Sequence, residues 1–287
     1  MYIVPLVEKL ARRRLNRLGL RSRYVHTRDA RIHLYEAIDD SRAGPPIVIL
    51  HGLGASATSF GRVLAGLRGS APRLLAPDAP GHGFSQAHRR CASSEELYVN
   101  LAEALDRELD EPAIVVGNSL GGAFAIRYAA RNPERIAGLV LASPAGAPVT
   151  DAELDDLLGA FRIRDLRGAN ALTERLYHQP PWFRALIAPD LRRHFQQPFF
   201  QALVGALSQA DTLSIDEVRS LQAPTLLLWG KSERLLPGSG LDFFREHLPA
   251  HAVIEEPEDF GHCPNLDRPR ALAQRIAAFS RELQGKG

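Results

Sequence analysis

A chain of 287 residues with 45% hydrophobic and 24% charged side chains has the balance of a globular protein that can bury a sizeable core. Its formal net charge of +2 excludes the broad basic excess of a nucleic-acid binder, and its two cysteines, Cys91 and Cys263, exclude a disulfide framework. No apolar run approaches the ~18 residues of a membrane-spanning helix, and the arginines follow the short apolar start instead of preceding it, unlike a secretory signal. A reducing, cytoplasmic setting is therefore expected.

The basic charge is concentrated at the start. Residues 1–23 hold seven basic side chains against the single acid Glu8, which leaves 28 basic against 32 acidic in the remainder. Residues 1–21 form a basic amphipathic segment, with Ile3, Val7, Leu10 and Leu18 on one stripe and the arginines opposite. That pattern fits a helix peripheral to a membrane surface, and equally one folded back on the domain with solvated arginines.

Next in chain order, Arg31–Ala37 alternates polar and apolar residues and predicts an antiparallel edge strand. The near-continuous apolar runs Ile47–Leu50, Ala113–Val116, Gly138–Ala142 and Thr225–Trp229 predict strands buried on both faces, as in a parallel sheet. Helical periodicity runs through Ser94–Leu109, Leu120–Arg131 and Arg270–Leu283. Strand–helix alternation predicts a doubly wound α/β fold. From 146 to 216 the rhythm breaks into helical patches, prolines and aromatics with no strand signal, which predicts a helical insertion over one end of the sheet. The expected division is a core of 22–145 and 217–287 with a cap of 146–216.

"GNSLG" puts Ser119 between Gly117 and Gly121, directly after an apolar strand and before a helix. A serine on so tight a turn is lifted above the sheet edge, and the helix N-terminus turns free N–H groups toward developing negative charge. A serine nucleophile needs a base and the base an orienting acid. His262, on the loop after a predicted strand at Ala252–Glu255, suits the base; Glu233, at the tip of the loop after Trp229, suits the acid. Asp151 is the competing acid, and Asp259 stands too near His262 on the same loop to serve. Oxyanion donors are expected from the backbone N–H groups of Leu120 and of Leu53 in "HGLG". His82 in "DAPGHGFS" reads as structural, Cys263 as packing, and His247 with His251 as no metal pair because Pro249 separates them.

These motifs resemble the α/β-hydrolase superfamily: "HGLG", "DAPGHGFS", "GNSLGG", "LLLWGKSERLLP" and "FGHCPNLDRP" stand in family order across Ile47–Pro269. The resemblance implies a mostly parallel eight-stranded sheet flanked by helices, with Ser119, His262 and Glu233 as triad. "SPAG" and "PFFQALVGALSQ" are similar to the capped monoacylglycerol-lipase and esterase branch; Glu233 departs from that family's usual aspartate. The expected activity is hydrolysis of short- to medium-chain acyl esters, including monoacylglycerols, without metal or organic cofactor. Gly52 and the cap aromatics Trp182, Phe183, Phe195, Phe199 and Phe200 are candidates for the acyl site, with cap core as the other role for the aromatics. Two readings stay open beside it: carbon–carbon bond hydrolysis or perhydrolysis on the same triad, and a non-catalytic binding protein on the hydrolase fold.

Overall fold

In the computed structural model, residues 4–87 and 92–285 are described; Ile3 and Cys91 lie outside the described residues. Nine strands form one sheet: β1 (Arg21–His26), β2 (Ala30–Ile38), β3 (Ile47–Leu50), β4 (Arg73–Pro77), β5 (Gln86–Ala87), β6 (Ala113–Ser119), β7 (Ile136–Pro144), β8 (Thr225–Leu228) and β9 (Val253–Glu255). Eight of them lie in the order β1-β2-β4-β3-β6-β7-β8-β9, and the two-residue β5 hooks onto β2. The pairs of β2 with β1, β4 and β5 are antiparallel, and every other pair is parallel. The expected eight-stranded, mostly parallel sheet is thus present, with one short strand added.

Side-chain alternation sends each central strand to two separate cores. Val48, Leu50, Val115 and Leu227 pack on one face with helices Ser94–Glu108, Leu120–Arg131 and Gly238–His247. Ile47, Ile49, Val116 and Leu226 pack on the other with helices Gly61–Leu67 and Pro269–Gln284. Strands buried on both sides need apolar residues at every position, which is why their sequences run without polar interruption.

The first strand carried no such signal. β1 is an edge strand, and it is held by charge: Arg23 Nε lies 2.7 Å from Glu36, Arg23 also pairs with Glu108, and Arg73 bridges the same two carboxylates. The helix Val4–Arg17 folds back on the domain through Leu15, which is buried among the Gly61–Leu67 side chains, while Val7 and Leu10 stay exposed.

Between β7 and β8 the chain forms five helices: Asp151–Phe161, Leu166–Leu176, Arg184–Phe195, Pro198–Ala206 and Ile215–Arg219. The first four share their own apolar cluster, which includes Leu158, Phe161, Leu172, Phe195 and Phe200. The last joins the main core through Val218.

Candidate active site

β6 ends in Ser119 at φ 54° and ψ −123°, a conformation L-residues rarely adopt, and the helix Leu120–Arg131 starts at the next residue. The flanking glycines are required by crowding. A Cβ at Gly117 would lie 2.4 Å from the Gly121 carbonyl oxygen, and one at Gly121 would lie 2.3 Å from that of Leu50. With no side chains there, the helix N-terminus sits directly on the ends of β3 and β6. Gly52 borders the serine from the β3 loop, where an added Cβ would stand 3.0 Å from that of Ser119.

His262 and Glu233 meet as the sequence predicts. His262 Nδ1–H donates to Glu233 Oε2 at 2.8 Å, with both side chains buried. Glu233 Oε1 accepts the backbone N–H groups of Leu235 and Leu236 at 2.7 and 3.0 Å. Burial alone would push this carboxyl up; the attraction and hydrogen bond of His262, with the Leu236 N–H, outweigh it and hold the group below the usual carboxylate range. The Ser143 hydroxyl, on a residue at φ 42°, lies near the same carboxylate outside regular hydrogen-bond geometry.

The alternative acids point elsewhere. Asp151 opens the first cap helix and accepts from Gln209 at 3.2 Å, and Asp259 pairs with Arg268 at 2.6 Å. His82 is buried in the loop after β4, bonded through Nδ1 to the Pro80 carbonyl, and burial pushes its pKa down to about 3. Burial pushes the Cys263 thiol up, away from the thiolate a nucleophile requires.

Three further residues frame the site, and sequence reasoning assigned them no role. Asn118 Nδ2 donates to the carbonyls of Ala142 and His262, both at 2.9 Å, so the residue before the serine is tied to the histidine's own backbone. A buried amide at the end of an apolar strand was the available signal. Asp267 accepts the N–H groups of Gly261 and His178, both at 2.9 Å, fastening the histidine loop to the cap. His51 donates from Nδ1 to the Gly52 carbonyl at 2.8 Å and accepts the Ala79 N–H on Nε2 at 2.9 Å, which fixes a neutral ring under the "HGLG" loop. Burial pushes its pKa down and keeps it so.

A pocket of ≈ 930 Å³, counting its open mouth, lies over Ser119. Leu53 and Leu120 line it beside the serine, and most of the remaining wall is aliphatic. The cap aromatics are not part of that wall except for Phe161. Trp182 is 88% exposed and Phe183 42%, because the Pro180–Pro181 segment carries them on an outer connection between cap helices. Phe199 packs over Gly81 and His82, and Phe195 and Phe200 belong to the cap cluster. Trp182, Phe183 and Phe199, expected at the acyl site, thus stand outside the lining of this pocket.

A sheet of this order, with a serine on the turn from β6 into the next helix, is that of the α/β-hydrolase fold. The pattern of that family matches residues 45–269, and the chain belongs to it. It is 29% identical over 265 residues to 2-hydroxymuconate semialdehyde hydrolase of Pseudomonas sp. (strain CF600), covering 85% of this chain and 90% of that protein. It is also 26% identical over 287 residues to a monoacylglycerol lipase of Homo sapiens, covering 91% of this chain and 82% of that one. A crystal structure of a membrane phospholipase A, described as a bacterial virulence factor, superposes with a TM-score of 0.83 at 26% identity, covering 98% of this chain and 91% of that one.

Proposed function

We propose that this protein is a serine carboxylic-ester hydrolase. The observation that carries the reading is the fixed pair: Glu233, pinned by two backbone N–H groups, takes the Nδ1–H of His262. That leaves Nε2 unprotonated to accept the Ser119 proton as Oγ attacks the ester carbonyl. The N–H groups of Leu120 and Leu53 stabilise the tetrahedral oxyanion. His262 then gives the proton to the leaving alcohol, takes one from a water that attacks the acyl carbonyl, and returns it to Ser119 Oγ as the carboxylic acid leaves. The negative Glu233 stabilises the imidazolium formed in each half-reaction.

An aliphatic pocket wall favours acyl chains over charged substrates. Short- to medium-chain p-nitrophenyl esters and monoacylglycerols are the expected substrates. Turnover of these esters, with loss of both turnover and fluorophosphonate labelling in Ser119→Ala, tests the reading; a purified wild-type enzyme inert to every ester would refute it. Carbon–carbon hydrolysis is the second reading, favoured by the resemblance to the 2-hydroxymuconate semialdehyde hydrolase. Cleavage of a vinylogous diketone much faster than of any ester would select it.

The division into a core of 22–145 and 217–287 and a cap of 146–216 is part of the proposal. So is contact with a membrane surface. No described helix is long and apolar enough to cross a bilayer. The exposed Val7 and Leu10 stand among Lys9 and the arginines of the first helix, a combination that suits an anionic lipid surface. Co-sedimentation with phosphatidylglycerol vesicles, weakened by salt, is the expected result, and equal sedimentation with neutral vesicles would count against it.

A further inference from the structure

Two helices face each other across the pocket, whose other walls come from residues 144–149, Trp229 and residues 235–240. From the core helix come Leu120, Ala123, Phe124 and Arg127; from the cap helix Asp151–Phe161 come Leu154, Leu157, Leu158 and Phe161. Each set follows the spacing i, i+3, i+4, i+7, which is one continuous helix face two turns long. The helices run in opposite directions. Phe161 packs against Phe195, whose ring covers Gly54 beside Leu53 at the serine end. At the other end, Gln209 holds both Val149 and Asp151, and Asp211 and Thr212 receive the Arg127 guanidinium. The space between them is therefore a channel that starts at Ser119 and stops at Arg127.

The wall at that end is polar. Arg127 is ion-paired with Glu217 at 3.0 Å, bonds the carbonyls of Asp211 and Thr212 at 3.4 and 3.3 Å, and stands over the Tyr98 ring. Ser94 and Ser208 complete that end. Nε and Nη2 are engaged and the charge is paired with Glu217, so an alkyl terminus pushed further would have to desolvate an ion pair.

Building on the ester-hydrolase reading, we propose that this channel is the acyl site and that Arg127 sets the chain-length limit. Seven residues at ~1.5 Å each separate Leu120 from Arg127 along the helix axis, roughly 10 Å. Carbon–carbon bonds of ~1.5 Å in an extended zigzag advance ~1.25 Å each, so the channel holds about eight carbons. Each methylene buried along it contributes about fourfold to kcat/KM, and methylenes past Arg127 contribute nothing.

The test is an acyl series of p-nitrophenyl esters from acetate to palmitate on wild-type enzyme, Ala123→Leu and Leu157→Phe. Ala123 lies one turn along the core wall and Leu157 faces the same space from the cap, so each enlargement blocks the channel midway. Wild type is expected to peak near eight carbons. In either variant the octanoate-to-acetate ratio should fall about sixtyfold, the loss of about three buried methylenes at fourfold each. Two walls give the same answer independently, and a melting scan identifies a variant that has not folded. An unmoved profile in a folded variant would overturn the proposal. So would a shift confined to the alcohol half, read with acetates of increasing alcohol length. Rates of covalent labelling by alkyl fluorophosphonates of increasing chain length read the channel without ester turnover. A graded labelling series in an enzyme inert to esters would therefore refute the ester reading and leave the channel standing, whereas labelling indifferent to chain length would refute the channel.

Discussion

Replacing Glu233 by glutamine changes one atom, and the surrounding backbone decides what that atom does. Leu235 and Leu236 N–H groups need an acceptor at Oε1, so the amide oxygen must take that side. The amide NH₂ then faces His262 Nδ1, where the wild-type enzyme has an acceptor. An NH₂ can only donate to an unprotonated Nδ1, which moves the imidazole proton to Nε2 and removes the base from the serine. Flipping the amide restores an acceptor for the histidine but sets NH₂ against two buried N–H donors, at about 1–3 kcal/mol for each group left unsatisfied. A wrong-tautomer histidine costs about 10⁴-fold in kcat in a well-studied serine protease triad, and a loss of about 10³–10⁴ is expected here. The assay is kcat and KM for p-nitrophenyl butyrate from pH 5 to 10, beside the melting temperature. KM should change little, since no contact to substrate is lost. A variant that folds and keeps kcat within about tenfold of wild type would refute Glu233 as the orienting acid.

Asn118→Ala leaves the buried Ala142 and His262 carbonyls without their donor; about 2–4 kcal/mol of stability should be lost, with a fall in kcat as the histidine backbone loosens, read by denaturant melts and kinetics. Gly121→Ala forces a methyl to within 2.3 Å of the Leu50 carbonyl oxygen, so it should lower the melting temperature by well over ~5 °C, and a normal melt would contradict the packing described. His82 has a folded-state pKa of about 3, depressed below the ~6.5 of the unfolded chain, so the unfolded state binds more protons between those values. Stability should therefore be fully present above about pH 6.5 and decline toward pH 3, and His82→Phe should flatten part of that slope in a melting-temperature series, with an unchanged slope counting against it. The Glu233 carboxyl has a folded pKa below its unfolded value, so it contributes stability above the unfolded pKa that is lost as pH falls through the folded one; Glu233→Gln should remove that most acid portion of the curve.

The parts of the fold that were legible are those where one physical requirement acts on a contiguous stretch. Runs such as Ile47–Leu50 and Thr225–Leu228 are buried on both faces and cannot disguise it. The glycines around Ser119 are demanded by backbone contacts close to 2.3 Å, so the turn announces itself locally. β1 stayed hidden because its stability comes from Arg23 reaching Glu36 and Glu108, partners 13 and 85 residues away. The same limit applies to the aromatics: "PPWF" is as apolar as any pocket wall, and only the path of the chain shows that Trp182 is exposed. Asn118 and Asp267 act through backbone atoms, which have no sequence signature at their far ends.

The link at Asp267 has a mechanical consequence. One carboxylate clamps the Gly261 and His178 backbones together, the His178 ring is bonded to Ser232 at 2.7 Å, and the Cys263 N–H donates to the Leu176 carbonyl at 3.0 Å. This corner of the helical layer is tied to the two loops that carry His262 and Glu233, so lifting it would disturb the hydrogen bond between them. A movement of these helices that keeps the His262–Glu233 hydrogen bond must therefore leave this corner in place.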